Sequence, residues 1–195
     1  MIPFLTIAIP TVRGREKKLA ELLSVLHPQL SKDIELLVAH DNKEISIGKK
    51  RQQLLEAATG DYFAMIDDDD LVATDFVATC KKHLPGNDCL GHLSLYTEDG
   101  LNPQFVRHSS RYKEWGDSMD GVRFTRLIEQ KCPHRRTLAL LTGFSDLRFG
   151  EDRDYSLRLA RLLQKEAYVE KVLYFHRYES SDSFNDSFNK KYGIQ

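Results

Sequence analysis

Apolar positions along the chain change their period in a regular order. Phe4 to Ile9 (FLTIAI) reads as a β-strand stopped by Pro10, because proline cannot donate to a central ladder. Leu19, Leu22, Leu23, Leu26 and Leu30 then recur at helical spacing and predict an amphipathic helix. Ile34 to His40 (IELLVAH) is a nearly continuous apolar run, the pattern of a strand covered on both faces. In GKKRQQLLEAATG, Leu54, Leu55 and Ala58 fall on one side of a helix, with Gly60 placed as its C-terminal cap. Asp61 to Ile66 (DYFAMI) predicts a third strand. This β-α-β-α-β order implies a parallel sheet with right-handed crossovers.

The second half is less regular. LGHLSLYTEDG reads as a strand and turn, GVRFTRLIEQ as a helix, and RTLALLTGF as a strand. EDRDYSLRLARLLQKEA predicts a helix and YVEKVLYFHRY a last strand. Residues 97–136 form a polar, basic and aromatic insertion. No repeat or long linker interrupts the chain, so one domain is expected over 1–183, with halves at 1–90 and 91–183 and a polar tail at 184–195.

Composition narrows the class. Lys and Arg number 28 against 29 for Asp and Glu, so no global charge draws the chain to nucleic acid or an anionic membrane. Cys80, Cys89 and Cys132 form no CxxC pair and are odd in number, which predicts free thiols in a reducing compartment. The apolar start is short, ends at a proline and lacks a basic leader, so it reads as a strand and not a signal peptide. No apolar run suffices to span a bilayer. The expectation is a soluble, cytoplasmic protein.

One stretch concentrates like charge. In YFAMIDDDDLVATDF, Asp67 to Asp70 follow a buried strand directly, with nothing basic within several residues. Strand ends of open α/β sheets are where ligands bind. Asp67 and Asp69 project to one side as the strand ends. Two carboxylates sharing a site raise each other's pKa unless a cation intervenes, and a hard divalent ion that ties them to phosphate oxygens resolves the conflict. The alternative is a solvated acidic turn.

Four stretches in order resemble inverting family 2 glycosyltransferases of the GT-A fold. DYFAMIDDDDLVATDFV is similar to their D-x-D-D strand and turn, and LTIAIPTVRGR to the first strand with its nucleotide-side loop. LLVAHDN followed by GKKRQQLLEAATGDY resembles the second strand's terminal aspartate and the Gly-basic-Arg helix, and FGEDRDYSLRLA the E-D-x-D-x-x-x-R acceptor segment. The resemblance covers 4–76 well, 149–183 less closely and 90–135 weakly. It implies a Rossmann-like α/β domain with a mostly parallel central sheet flanked by helices and a small acceptor-side insertion. Residues 1–90 would be the nucleotide-sugar half and 91–183 the acceptor half.

The resemblance also implies roles. Pro10, Thr11, Arg13 and Asp41 hold the base, the aspartate accepting from a uracil-type N3–H. Lys49, Lys50 and Arg51 begin a helix, and one of them would face the diphosphate or ribose, Arg51 being the preferred residue and a solvated basic helix face the alternative. Asp67 contacts ribose or metal, Asp69 ligates the metal, and Asp68 belongs to the donor set although its side chain is expected to face away. Asp70 caps or orients the turn. The cofactor is Mn2+ or Mg2+, with His176 as a further ligand and a simple hydrogen-bonded histidine as the alternative. Asp152 is the general base that activates the acceptor hydroxyl, with Glu151 positioning the acceptor. Arg177, with Ser180 and Ser181, forms a flap over the diphosphate.

Trp115, Arg111 and Tyr112 mix rings and cations as candidate acceptor contacts. The donor expected is a UDP-sugar and the acceptor a glycan hydroxyl, with nucleic acid as the minority acceptor. Two alternatives stay open: a nucleotidyltransferase, against which Gly14 stands alone in its loop, and a non-catalytic metal- or nucleotide-binding module.

Overall fold

The structure is a computed structural model that describes residues 2–118 and 121–180. Strand β1 (Leu5–Val12) lies between β2 (Ile34–Asp41) and β3 (Tyr62–Met65), parallel to both. Helix α1 (Glu16–Leu26) joins β1 to β2, and α2 (Ile47–Ala57) joins β2 to β3. The predicted βαβαβ unit is therefore present. β1 does not stop at Pro10, however. Beyond Ala8 its pairing with β3 has ended, so the proline sits where only β2 remains and no donor is needed on the other side.

The aspartate turn leads into β4 (Leu71–Val72) and α3 (Phe76–His83). Strand β5 (Cys89–Glu98) pairs antiparallel with β6 (Leu101–His108), which carries the short β8 (Phe124–Arg126) and β7 (Gly116–Asp117) at the sheet's edge. β9 (His134–Arg135) pairs with both β3 and β5 and so joins the two halves of the sheet. Helices α4 (Arg136–Thr142) and α5 (Glu151–Leu159) follow. The last strand, β10 (Glu166–Tyr178), runs parallel to β5 and meets β4 antiparallel through Tyr174 and Phe175.

Two expectations are reversed in this half. GVRFTRLIEQ contains strand β8 and no helix: Phe124 to Arg126 is aromatic and β-branched, and pairing with the edge of β6 decides its conformation. RTLALLTGF is helix α4 rather than a strand. Its short apolar run fits either period, and Ala139 packs under α2 and α5. Gly60 is not the cap of α2, which ends at Ala57 with Ala58 as cap. Gly60 instead lies where an added Cβ would stand 2.7 Å from the backbone N of Thr6, a close strand approach only glycine allows.

Both faces of the sheet are covered. Leu5, Ile7 and Ile9 alternate to one face with Leu22 and Leu26 of α1 and Phe76 of α3. Ala8, Phe63 and Met65 face the other way, onto Leu54 and Leu55 of α2 and Tyr155 and Leu159 of α5. The three cysteines are free and buried. Among the described residues, no helix is long and apolar enough to cross a membrane. The expected tail over 184–195 lies outside the described residues.

Candidate active site

The C-terminal ends of β1 and β3 open onto a cleft of about 500 Å³, closed on the far side by the start of α5 and the end of β10. Pro10, Thr11, Arg51, Asp67, Asp68 and Asp69 line it. Glu151, Asp152, His176 and Arg177 line it too, so ten of the residues singled out in sequence converge. The sequence reading did not single out Arg15, Arg148 or Phe149, which are also in the wall, as is Lys50. Lys50 is buried while Lys49 points to solvent, so the helix turns the second lysine and not the first toward the cleft.

The four aspartates part company. Asp68 does not face away from the cleft. It accepts from Thr11 Oγ1 at 2.6 Å and from Arg15 at 2.9 Å, tying the acidic turn to the β1 loop. Asp67 meets Arg51 Nη2 at 2.8 Å. Asp70 turns inward and accepts from Tyr174 Oη at 2.6 Å, the Arg177 backbone N–H at 2.8 Å and His176 Nδ1 at 3.0 Å. Burial works against its ionisation, but the His176 charge and these donors outweigh it and hold the carboxyl down at about 2. Asp69 shares one Arg15 contact at 3.0 Å. Its burial and the neighbouring Asp70 charge push it up to about 7.

That rise is the fit test for a divalent cation. A carboxyl crowded by Asp70, Asp67 and Asp68, with Arg15 alone opposing, is a site short of positive charge and supplied with hard oxygen donors. His176 stacks on Tyr96 and uses Nδ1 on Asp70, which leaves Nε2 as its remaining ligand atom. Among the described residues, no three ligating side chains are already gathered as a preformed cage. The residues would supply only part of a cation's coordination, through Asp69, Asp67 and His176 Nε2.

Arg51 is the hinge between the two walls. It is buried, and besides Asp67 its Nη1 lies 2.8 Å from Glu151 Oε1. Burial disfavours its charge, but Asp67 and Glu151 more than restore it. Glu151 was expected to position the acceptor; its carboxylate is turned onto Arg51. Burial raises its pKa, with Arg51 opposing. Asp152, the next residue, takes part in no ion pair among the described residues and accepts only from the Arg153 N–H at 2.7 Å. Arg158, six residues on, pairs with Asp154 one turn back in α5 at 2.6 Å and holds the loop before the helix through the Gly143 carbonyl at 2.8 Å.

Asp41 ends β2 beside Lys50 of the cleft wall and is not itself in that wall. One of its oxygens is held by Lys50, which also donates to the Thr11 carbonyl at 2.7 Å, while Oδ2 is buried without a protein donor. Arg13 and Arg111 are exposed and outside the cleft wall. Tyr112 is buried, with Arg111 over its ring. Trp115 stands against Arg126 and, on α5, Arg153. In the expected flap, Arg177 Nε donates to the Asp69 carbonyl at 2.8 Å, fixing β10 to the acidic turn, whereas Ser181 lies outside the described residues.

Neither a protein-family model nor a curated protein sequence matches the chain. Solved structures do. S. aureus TarS 1–349 in complex with UDP-GlcNAc matches with TM-score 0.65 and 16% identity, over 92% of this chain and 60% of that one. The same TarS fragment with UDP gives 0.62 and 18%, over 91% and 61%. The mannosyltransferase PcManGT from Pyrobaculum calidifontis, with GDP-Man and Mn2+, gives 0.56 and 14%, over 90% and 57%. These likenesses show the GT-A fold. The chain spans about 60% of the TarS fragment's length.

Proposed function

We propose that this protein transfers a sugar from a nucleoside diphosphate sugar to an acceptor hydroxyl with inversion, assisted by Mn2+ or Mg2+. The observation that carries the reading is one cleft in which the strand-end aspartates face an unpaired carboxylate, Asp152, across the Arg51 bridge. The neighbours in complex with UDP-GlcNAc and GDP-Man support a nucleotide-sugar donor.

The base would lie at the β1 end, where the buried Oδ2 of Asp41 lacks a donor and suits a uracil N3–H. UDP is accordingly the nucleotide inferred. Asp69, with Asp67 beside it and Nε2 of His176, would hold the cation. When bound, that cation supplies charge neutralisation for the departing diphosphate. Arg51 holds the Asp67 carboxylate in place, and Arg15 does the same for Asp68 and Asp69.

Asp152 takes the proton from the acceptor O–H as that oxygen bonds to the anomeric carbon and the bond to the diphosphate breaks. Glu151 is held by Arg51, which leaves Asp152 as the base proposed at this side of the cleft; inversion is proposed from the family resemblance. Calorimetry with UDP and GDP, with and without Mn2+, tests the donor site on wild type and Asp69→Ala. Mn2+-dependent binding of UDP that the substitution abolishes is expected. Absence of binding to either nucleotide under every metal condition would sink the reading.

A further inference from the structure

The acceptor side of the cleft carries a cluster of cations. Arg148 lines the cleft in the loop before α5, and Arg153 follows Asp152 on α5; both are exposed. The Arg153 guanidinium lies 5.8 Å from the centroid of the Trp115 ring, and Arg126 lies 4.6 Å from the same ring. Arg126 is also 4.9 Å from Phe124, which carries Arg123 at 4.7 Å. Guanidinium groups thus gather on two neighbouring rings beside the residue assigned as base.

The cluster holds few close acids for the number of arginines it gathers. Arg51, Arg107, Arg158 and Arg177 each take a carboxylate partner within 2.8 Å. Among the described residues, Arg123, Arg148 and Arg153 meet none, and Arg126 has the exposed Asp117 at 3.6 Å and the nearby charge of Glu129. The indole N–H of Trp115 is, in addition, a buried donor without a partner. Like charges brought together at the cost of mutual repulsion call for an anion. A guanidinium laid against a ring keeps its fork of N–H groups, which matches phosphate oxygens two at a time.

We propose that this shelf binds a phosphate group carried by the acceptor, next to the hydroxyl that Asp152 deprotonates. The proposal rests on the glycosyl-transfer reading of the cleft and adds the acceptor's chemical class. The phosphate takes no part in bond making: it holds the acceptor so that its O–H faces Asp152. A phosphorylated polyhydroxyl compound fits better than a nucleic acid, since the Trp115 and Phe124 rings already carry arginines in place of stacked bases.

Trp115 is the chain's one tryptophan, so its emission reports on the shelf directly. The experiment titrates glycerol 1-phosphate, glycerol and a hexauridylate into protein holding UDP and Mn2+, whose own binding is read separately by calorimetry. A saturable emission change with glycerol 1-phosphate and none with glycerol is expected. Arg148→Ala/Arg153→Ala, which removes two exposed side chains and no side-chain hydrogen bond, should weaken it by about tenfold or more while circular dichroism stays unchanged. No response in protein that binds UDP, a response that survives the double substitution, or tighter binding of the hexauridylate each overturns the shelf. A response with glycerol 1-phosphate in protein that fails to bind UDP upholds the shelf and removes the glycosyl-transfer reading instead.

Discussion

Asp69 and Asp70 are adjacent in sequence and opposite in state. Asp70 is the settled one, held ionised by Tyr174, His176 and the Arg177 N–H, and its fixed charge makes its neighbour hard to ionise. Tyr174→Phe removes one of these donors from a fully buried carboxylate. It should cost about 1.5–3 kcal/mol in urea unfolding, the range for hydrogen bonds to charged groups. A change within error would mean that the tyrosine does not hold Asp70. Arg51→Met is the harsher case, because it strands Asp67 and the buried Glu151 together. A loss of about 3–5 kcal/mol is expected for breaking such a pair from one side. Adding Glu151→Gln to it should recover part of that loss, and failure to do so would argue against the coupling.

At the scale of elements, the site depends on how α2 meets the loop before α5. The Gly48 N–H donates to the Leu147 carbonyl at 3.0 Å, and a Cβ at Gly48 would stand 1.9 Å from the Ser145 carbonyl oxygen. Gly48→Ala must therefore push the loop off the helix and move Glu151 away from Arg51. Such overpacking should lower stability by about 1–3 kcal/mol. It should also weaken acceptor use more than UDP binding; equal loss of both would show that the loop does not separate the two sides. The same junction shows what the sequence revealed. The glycine, the arginine of α2 and the acidic start of α5 were legible as motifs because each sits on a strongly periodic element. The partners were not: no basic residue lies near Asp67 to Asp70 in sequence, and relief arrives from Arg15 and Arg51 through the fold. The edge strand β8 and helix α4 were misread because short apolar runs carry no decisive period, and neighbours decide them.

The whole molecule carries a further consequence in its buried histidines. His92, His108 and His134 are essentially without exposure. His134 is fixed between the Cys132 carbonyl and Tyr155 Oη, each at 2.7 Å. His92 and His108 lie with ring centroids 5.4 Å apart, facing Lys131, Arg126 and Glu129, whose carboxylate is 4.0 Å from His108. Burial pushes His92 and His134 down to about 4 and His108 well below its usual value, with Lys131 adding to the shift at His108. An unfolded chain protonates these rings as pH falls through about 6.5, whereas the folded chain does not until about 4. Stability is therefore fully present above the unfolded value and is lost as pH falls through that window, by up to about 1.4 kcal/mol per pH unit for each histidine. His176 runs the other way. Burial lowers its pKa, but Asp70 raises it more, so it favours the fold at low pH and opposes the three. Asp69, pushed up to about 7, also takes up a proton in the fold over this range and opposes the slope. Urea midpoints at pH 7 and pH 5 should still differ, with the lower pH less stable, because three histidines outnumber these two groups. Replacing His92 by Asn should shallow that slope while leaving the pH 7 midpoint the less affected; a flat profile in the wild type would mean these rings are not held neutral in the fold.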